Sequence, residues 1–315
     1  MMIFGWGLMA DRLAFKHSGR LGDIVYSLPL VKRMTELAGV PADFYIPSDV
    51  PARLGRDVYH PGGELMVGPG LFAFIEPLLV VQPYLRKVHF VKSTEVPSDC
   101  LDLDAFKTSN LNLKAGLIQG WYRKAFGVAF PIEAPWLTLP DNGASAQSDG
   151  PTFNVLISRT TRFCNTSINY GFLDSIEKVG FIGLKYEYED FIERHSLRSL
   201  RHIPVSDALE MARRMQDCRV YVGNQSVNFA IADGMKVPRA LEAFEPAPVA
   251  SPVGGVCFEY TRTQGLGAFL SQMLRLEIVT DADLEGEYCD SIKPQEGYKP
   301  PLKDRIKRFI KRRRA

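Results

Sequence analysis

The stretch that most constrains the fold is LAFKHSGRLGDIVYSLPLVKRMTEL, residues 13–37. Residues 13–16 read as a short buried strand and residues 17–22 as a loop carrying Gly19 and Gly22. Asp23 opens a helical pattern, with Ile24, Leu28, Val31, Met34 and Ala38 close to the period of about 3.6. Strand, glycine turn and helix N-terminus make the first βα unit of a Rossmann-like domain. Such a turn presents free backbone N–H groups and a positive helix end to a cleft. The loop is neither a G-x-G-x-x-G fingerprint nor a P-loop, since no third glycine and no Lys-Ser/Thr pair follow. A carboxylate in this place suits two roles, a helix cap or a catalytic group, and the stretch alone leaves both open.

The same rhythm continues down the chain. Strands are expected at residues 43–47 and 87–91, with strand-like alternation over 100–106. Helices are expected at 72–81, interrupted at Pro77, and at 111–126. Residues 48–70, rich in Gly and Pro, read as a long loop that shapes a site. The polar stretch after Pro140 is the natural linker. The pattern then restarts, with strands at 153–157, 181–183, 219–222 and 238–241. Helices are expected at 172–179, 187–194, 227–235 and 266–275, and one capped by Ser206 and running to Met215. The expected fold is therefore α/β: two Rossmann-like domains facing a cleft, with parallel sheets and ligands at the strands' carboxyl ends. The expected boundaries are 1–140, a linker at 141–151, 152–280, and a polar, basic tail at 281–315.

Composition narrows the class. At 315 residues, 46% hydrophobic and 23% charged, the chain has the make-up of a globular protein of two domains. Its five cysteines are scattered with no C-x-x-C pair, which argues against a disulfide framework or a zinc site and for a reducing cytoplasm. No histidine spacing suggests a metal, so no metal and no cofactor are expected. Residues 1–9 are apolar but far short of the ~20 a membrane span takes, and carry no basic start typical of a secretory signal. The formal charge of +2 is uneven: residues 302–315 carry eight bases and one acid, which leaves −5 for the rest. Leu302, Ile306, Phe309 and Ile310 line one face of that tail, as in a basic amphipathic helix lying on a membrane surface; a disordered charged tail is the alternative. An acidic body argues against a nucleic-acid partner on electrostatic grounds.

Four motifs in order carry a family resemblance. Gly22-Asp23-Ile24-Val25-Tyr26-Ser27-Leu28-Pro29 resembles the G-D-x-x-x-x-x-P element of the heptosyltransferase-like glycosyltransferases of family 9, of the GT-B class. Thr160-Thr161-Arg162, Gly183-x-x-x-Glu187 and Gly223-Asn224-Gln225-Ser226 match later family elements, the last resembling G-N-D-S-G. The resemblance implies transfer of a sugar from a nucleotide diphosphate to an acceptor hydroxyl, without metal and with inversion. It implies Asp23 as the base. It implies Arg159, Thr160, Thr161, Arg162, Asn224, Gln225 and Ser226 toward the donor phosphates, and Glu187 toward the ribose. The implied partners are a nucleotide sugar and a glycan or lipid-linked acceptor, met in the cytoplasm or at the inner membrane face.

The chain departs from the family at Gln225, usually an acid, at Val227, usually glycine, and at Ala230, usually histidine. The lysine that commonly follows the Thr-Thr pair is also missing, and Arg159 or Arg162 would supply its charge. These departures keep a silent sugar-nucleotide or glycan-binding protein as one alternative. Asp102-Leu103-Asp104 raises another, because D-x-D holds the metal of the GT-A transferases. On an alternating strand the two carboxylates would share a face and line the acceptor side.

Overall fold

The computed structural model of the chain describes residues 12–53, 60–113, 116–140 and 151–280. The first sheet contains β1 (Leu13–Lys16), β2 (Ala42–Pro47), β3 (Leu85–Val91) and β4 (Leu101–Asp102), in the order β3-β2-β1-β4. The second contains β5 (Phe153–Ser158), β6 (Val179–Ile182), β7 (Arg201–Ile203), β8 (Cys218–Asn224), β9 (Arg239–Glu242) and β10 (Cys257–Tyr260). Its order is β10-β9-β8-β5-β6-β7, and every pairing in both sheets is parallel. Strand order reverses beside β1 in one sheet and between β5 and β8 in the other. These are the places where a parallel sheet opens a crevice at its carboxyl edge.

The helices are α1 (Leu21–Ala38), α2 (Pro69–Val80), α3 (Ile118–Phe126), α4 (Lys185–His195), α5 (Ala208–Gln216), α6 (Val227–Met235) and α7 (Thr263–Leu274). Helix α1 packs on α6, and α2 on α5, so the two domains meet helix to helix. Their contact is apolar and continuous: Phe15, Ile24, Leu28 and Leu78 belong to the same buried cluster as Met211, Met215, Phe229 and Ile231. A second cluster, including Val155, Val220, Phe191, Leu266 and Leu270, fills the far side of the second sheet. Residues 136–137 leave the first domain by pairing with the second, the N–H groups of Trp136 and Leu137 donating to Gly234 O at 2.9 and 3.1 Å.

Several expected elements move, each for a local reason. Helix α1 begins at Leu21, with Arg20 as an extended N-cap residue, so Asp23 sits within the first turn and is not the cap. Pro77 does not interrupt α2; burial of Ile75, Leu78 and Leu79 holds the helix through it. The helix expected at 111–126 starts only at Ile118, after Gly116 takes a left-handed φ of 81°. The alternation expected over 100–106 stops at Asp102, whose carboxylate accepts the Asp104 N–H at 3.0 Å and turns the chain into a 3-10 helix, Leu103–Lys107. Asp102 and Asp104 therefore do not share a strand face. The helix expected at 172–179 is a 3-10 turn, Gly171–Ser175, running into β6, whose Val179 must pair with Val155. The cap of α5 is Asp207, which accepts Glu210 N–H at 2.8 Å, while Ser206 donates to the Glu210 carboxylate. The short edge strands β7 and β10 had no alternation to announce them.

Candidate active site

The β1–α1 turn is held by a chain of hydrogen bonds with one consistent direction. The Gly19 N–H donates to His17 Nδ1 at 2.9 Å, so the imidazole carries its proton on Nε2. That Nε2–H donates to Tyr122 Oη at 2.7 Å, and Tyr122 donates to the Asp23 carbonyl at 3.2 Å. Burial lowers the pKa of His17 despite the acids near it, which keeps the ring neutral as this pattern needs. Gly19 is required here: a Cβ would lie 2.6 Å from His17 Cε1. Tyr122 comes from α3, so the turn is braced from an element about a hundred residues away in sequence.

Asp102 and Asp104 brace the same turn from beneath. Asp104 accepts the Ser18 N–H and hydroxyl, each at 2.6 Å, and the Lys107 ammonium at 2.5 Å. Burial works against its charge, but the Lys107 ammonium and the Ser18 donors outweigh it and hold the carboxyl below the usual range. Asp102 pairs with Lys16 at 2.6 Å. Their oxygens are occupied by protein donors, and among the described residues no group of three His, Cys, Asp or Glu is arranged to hold a metal ion. These two acids, expected to line the acceptor side, hold the turn in place, and neither lines the cavity between the domains. Asp23 differs: its half-buried carboxylate has no hydrogen-bond or ion-pair partner among the described residues.

In the second domain most of the motif residues hold one another. Arg159, 4% exposed, makes a bidentate pair with buried Glu242, Nε at 2.6 Å and Nη2 at 2.9 Å, and Tyr170 Oη donates to the same carboxylate at 2.7 Å. This arginine faces the domain interior and not the cleft. Asn224 accepts the Thr160 N–H at 3.0 Å and donates to the carbonyls of Thr160 and Arg162 at 3.0 and 2.7 Å, closing the 160–164 turn on itself. Thr160 donates its hydroxyl to Arg162 O at 3.1 Å. Thr161 is half-buried and lies outside the cavity wall. Ser226 is the N-cap of α6, accepting the Phe229 N–H at 3.2 Å. Glu187 accepts the Leu184 N–H at 3.2 Å in the first turn of α4, and burial pushes its carboxyl up to about 7.

What remains free converges on one cavity between the domains. Its wall includes Arg20 and Asp23 from the first domain, and Arg162, Phe163, Gln225 and Val227 from the second. The N-termini of α1 and α6 meet there: a Cβ at Gly22 would lie 3.7 Å from Val227 N. Both helix ends are positive. Arg162 Nη1 is buried without a hydrogen-bond partner, and burial together with the nearby Arg20 charge lowers its pKa. Gln225, 8% exposed, donates Nε2 to Ala247 O at 2.9 Å, which turns its Oε1 to the other side, buried and without a partner. Of the expected residues, the structure brings Asp23, Arg162, Gln225 and Ser226 together at this cavity. It does not bring Arg159, Asn224, Asp102 or Asp104 to its wall. Arg20, His17 and Tyr122 were not singled out by the sequence, although Arg20 stands inside the quoted GRLGD turn.

No family model and no curated protein sequence matches the chain. Solved structures do. A glycosyl transferase of family 9 from Veillonella parvula superposes with a TM-score of 0.54 at 11% identity, over 87% of this chain and 92% of that one. The ADP-heptose lipopolysaccharide heptosyltransferase II of E. coli gives 0.53 at 14% identity, over 83% and 99%. The fold is GT-B. The expected double Rossmann architecture and its likeness to that class are thereby found in the structure. No helix among the described residues is long and apolar enough to cross a membrane. Residues 141–150 of the expected linker, Cys289 and the basic face at 302–315 lie outside the described residues.

Proposed function

We propose that this chain is a glycosyltransferase that moves a sugar from a nucleotide diphosphate to an acceptor hydroxyl. The observation that carries the reading is the pairing of unmet groups in one cavity. A buried arginine nitrogen and a buried amide oxygen, Arg162 Nη1 and Gln225 Oε1, lack partners beside a free carboxylate, Asp23, and two helix N-termini. An anion beside a hydroxyl-bearing ring satisfies both, and a sugar diphosphate is such a ligand.

In this reading Asp23 takes the proton of the acceptor hydroxyl as its oxygen attacks the anomeric carbon. The bond from that carbon to the diphosphate oxygen breaks on the opposite side, so the anomeric centre inverts. Arg162 and the α1 and α6 N-termini stabilise the departing charge, which is the role a metal takes in other transferases. Gln225 in place of an acid removes one negative charge from beside the diphosphate. The acceptor is a glycan or lipid-linked sugar of a cell-surface polymer. Residues 302–315 hold the protein at an anionic membrane face near it, each Lys or Arg contributing about 1 kcal/mol.

The test is a thermal-shift screen with ADP-, UDP-, GDP- and CDP-sugars, with ADP-heptose first because the E. coli neighbour is named for it. A ligand at a hundred times its dissociation constant stabilises by about 2.7 kcal/mol. The hit is then incubated with lipopolysaccharide-type and lipid-linked acceptors, and nucleoside diphosphate release is measured with and without EDTA. Binding without any release, over a range of acceptors, supports the silent binding protein instead. Release abolished by EDTA and restored by Mn²⁺ overturns the metal-independent mechanism.

A further inference from the structure

Arg20 is the residue at this cavity that no motif assigns. It is the N-cap residue of α1 and, like Arg162 from the second domain, lines the cavity wall. Neither guanidinium makes a hydrogen bond or ion pair with any described residue. Two arginines that face one small space without counter-ions repel each other, and burial of Arg162 removes the water that would screen them. Two helix N-termini add positive potential of the same sign. Glu187 and Asp23 lie near enough to offset part of this repulsion, but neither makes an ion pair with Arg162, and Glu187 is occupied at the start of α4. Gln225 Oε1, turned away from Ala247 and without a donor, shows independently that the space is built for a ligand.

We infer that Arg20 and Arg162 form a clamp that grips one phosphate-type oxyanion from both domains at once. The inference rests on the nucleotide-diphosphate reading of this cavity and adds to it a binding residue on the first domain. Arg162 alone would bind the anion to one domain and leave the other indifferent to it. With Arg20 opposite, the anion is neutralised from both sides and relieves the repulsion between the two guanidinium groups, so the two arms hold it cooperatively across domain faces that already pack helix to helix.

The experiment measures dissociation constants for inorganic pyrophosphate and for ADP by calorimetry, and melting temperatures without ligand. The proteins are the full chain, Arg20→Gln, Arg20→Lys, Arg162→Gln and the double Gln variant. Each Gln change is expected to weaken pyrophosphate about 10–100-fold, the worth of a hydrogen bond to a charged group. The double variant should weaken it by less than the product of the two, because one arm without the other no longer bridges. Arg20→Lys should recover part of the loss, since the charge returns without the fork. Ligand-free Arg20→Gln should melt at or above the full chain, as removing one of two repelling charges predicts. Wild-type affinity for pyrophosphate in Arg20→Gln overturns the clamp, and ADP still bound by that protein shows that the nucleotide reading survives. A double variant whose loss equals the product also overturns it, by showing two independent contacts. If the full chain binds neither pyrophosphate nor any nucleoside diphosphate, clamp and nucleotide reading fall together.

Discussion

The β1–α1 turn of the first domain and the β5 and β8 turns of the second reach the same cavity with opposite uses of their polar groups. In the first, the groups behind the turn do the bracing: His17, Tyr122, Ser18 and Asp104 bond to one another or to the backbone, and Arg20 and Asp23 are left without partners. In the second, the motif residues themselves do the bracing. Arg159 is fastened to Glu242, Asn224 to the 160–162 carbonyls, and Ser226 to its own helix. Arg162 and Gln225 each keep a buried atom without a partner. A residue type suited to phosphate is equally suited to a backbone carbonyl or a buried acid, so a motif fixes the turn's shape more surely than it fixes which side chain meets the ligand.

The largest test of this contrast is Asp23→Ala. If the free carboxylate is the base, turnover should fall about 10²–10⁴-fold, while affinity for the nucleotide sugar and the melting temperature change little. Unchanged turnover would reduce Asp23 to one more charge at a helix end and erase the distinction between the turns.

Arg159→Met tests the other side. Removing one partner of a buried pair leaves Glu242 charged among Tyr170 and Tyr260, and such losses run to about 3–5 kcal/mol. The variant should unfold at much lower denaturant, whereas Arg162→Met, whose guanidinium has no hydrogen-bond or ion-pair partner among the described residues, should lose little stability and most of its diphosphate affinity. The reverse pattern would exchange the two arginines' roles.

Glu187 gives an intermediate effect that depends on pH. Its folded pKa, about 7, lies above the ordinary 4.5 because burial disfavours the charge. A raised folded pKa means that the carboxyl's contribution to stability is complete below about 4.5 and is lost as pH rises through about 7. The shift corresponds to about 3 kcal/mol. Denaturation at pH 5 and pH 8 should therefore show the full chain weakening across that interval, and Glu187→Gln weakening less. Parallel pH dependence in the two proteins would mean that Glu187 is solvated and free to face a ribose.

Much of the architecture was legible in the sequence because it rests on local signals. Strands β1, β2, β5 and β8 are apolar runs, and the turn after β1 has its glycines. What escaped was decided by distant partners. β7 and β10 are three- and four-residue edges whose pairing comes from the neighbouring strand. The D-x-D alternation broke because Asp102 caps the next turn, a competition between side chain and strand that spacing does not reveal. Arg159 and Arg162 are equally basic in the sequence. Only Glu242, eighty-three residues on, separates the buried one from the free one. His17 carries no motif, and its meaning depends on Tyr122, which packs beside it from α3.

Tyr122→Phe is the smallest and most specific test. The ring stays in the core between His17, Phe106 and Phe126, so packing is conserved and only the hydroxyl is lost. Two hydrogen bonds go with it, leaving His17 Nε2–H unmet while the Asp23 carbonyl keeps its place in the α1 ladder; a stability loss of about 1–3 kcal/mol follows from the buried donor. If the hydroxyl only supports the fold, that is the whole effect. If it positions Asp23, turnover should also fall several-fold with the donor's affinity unchanged, because a base displaced by a fraction of an ångström loses reach before the binding groups do. The two are separated by measuring kcat and KM at a temperature where both proteins are fully folded. A kcat equal to that of the full chain would confine the His17–Tyr122 chain to structure. A lower kcat with unchanged KM would mean that the bracing behind the first turn exists to aim the one carboxylate left free.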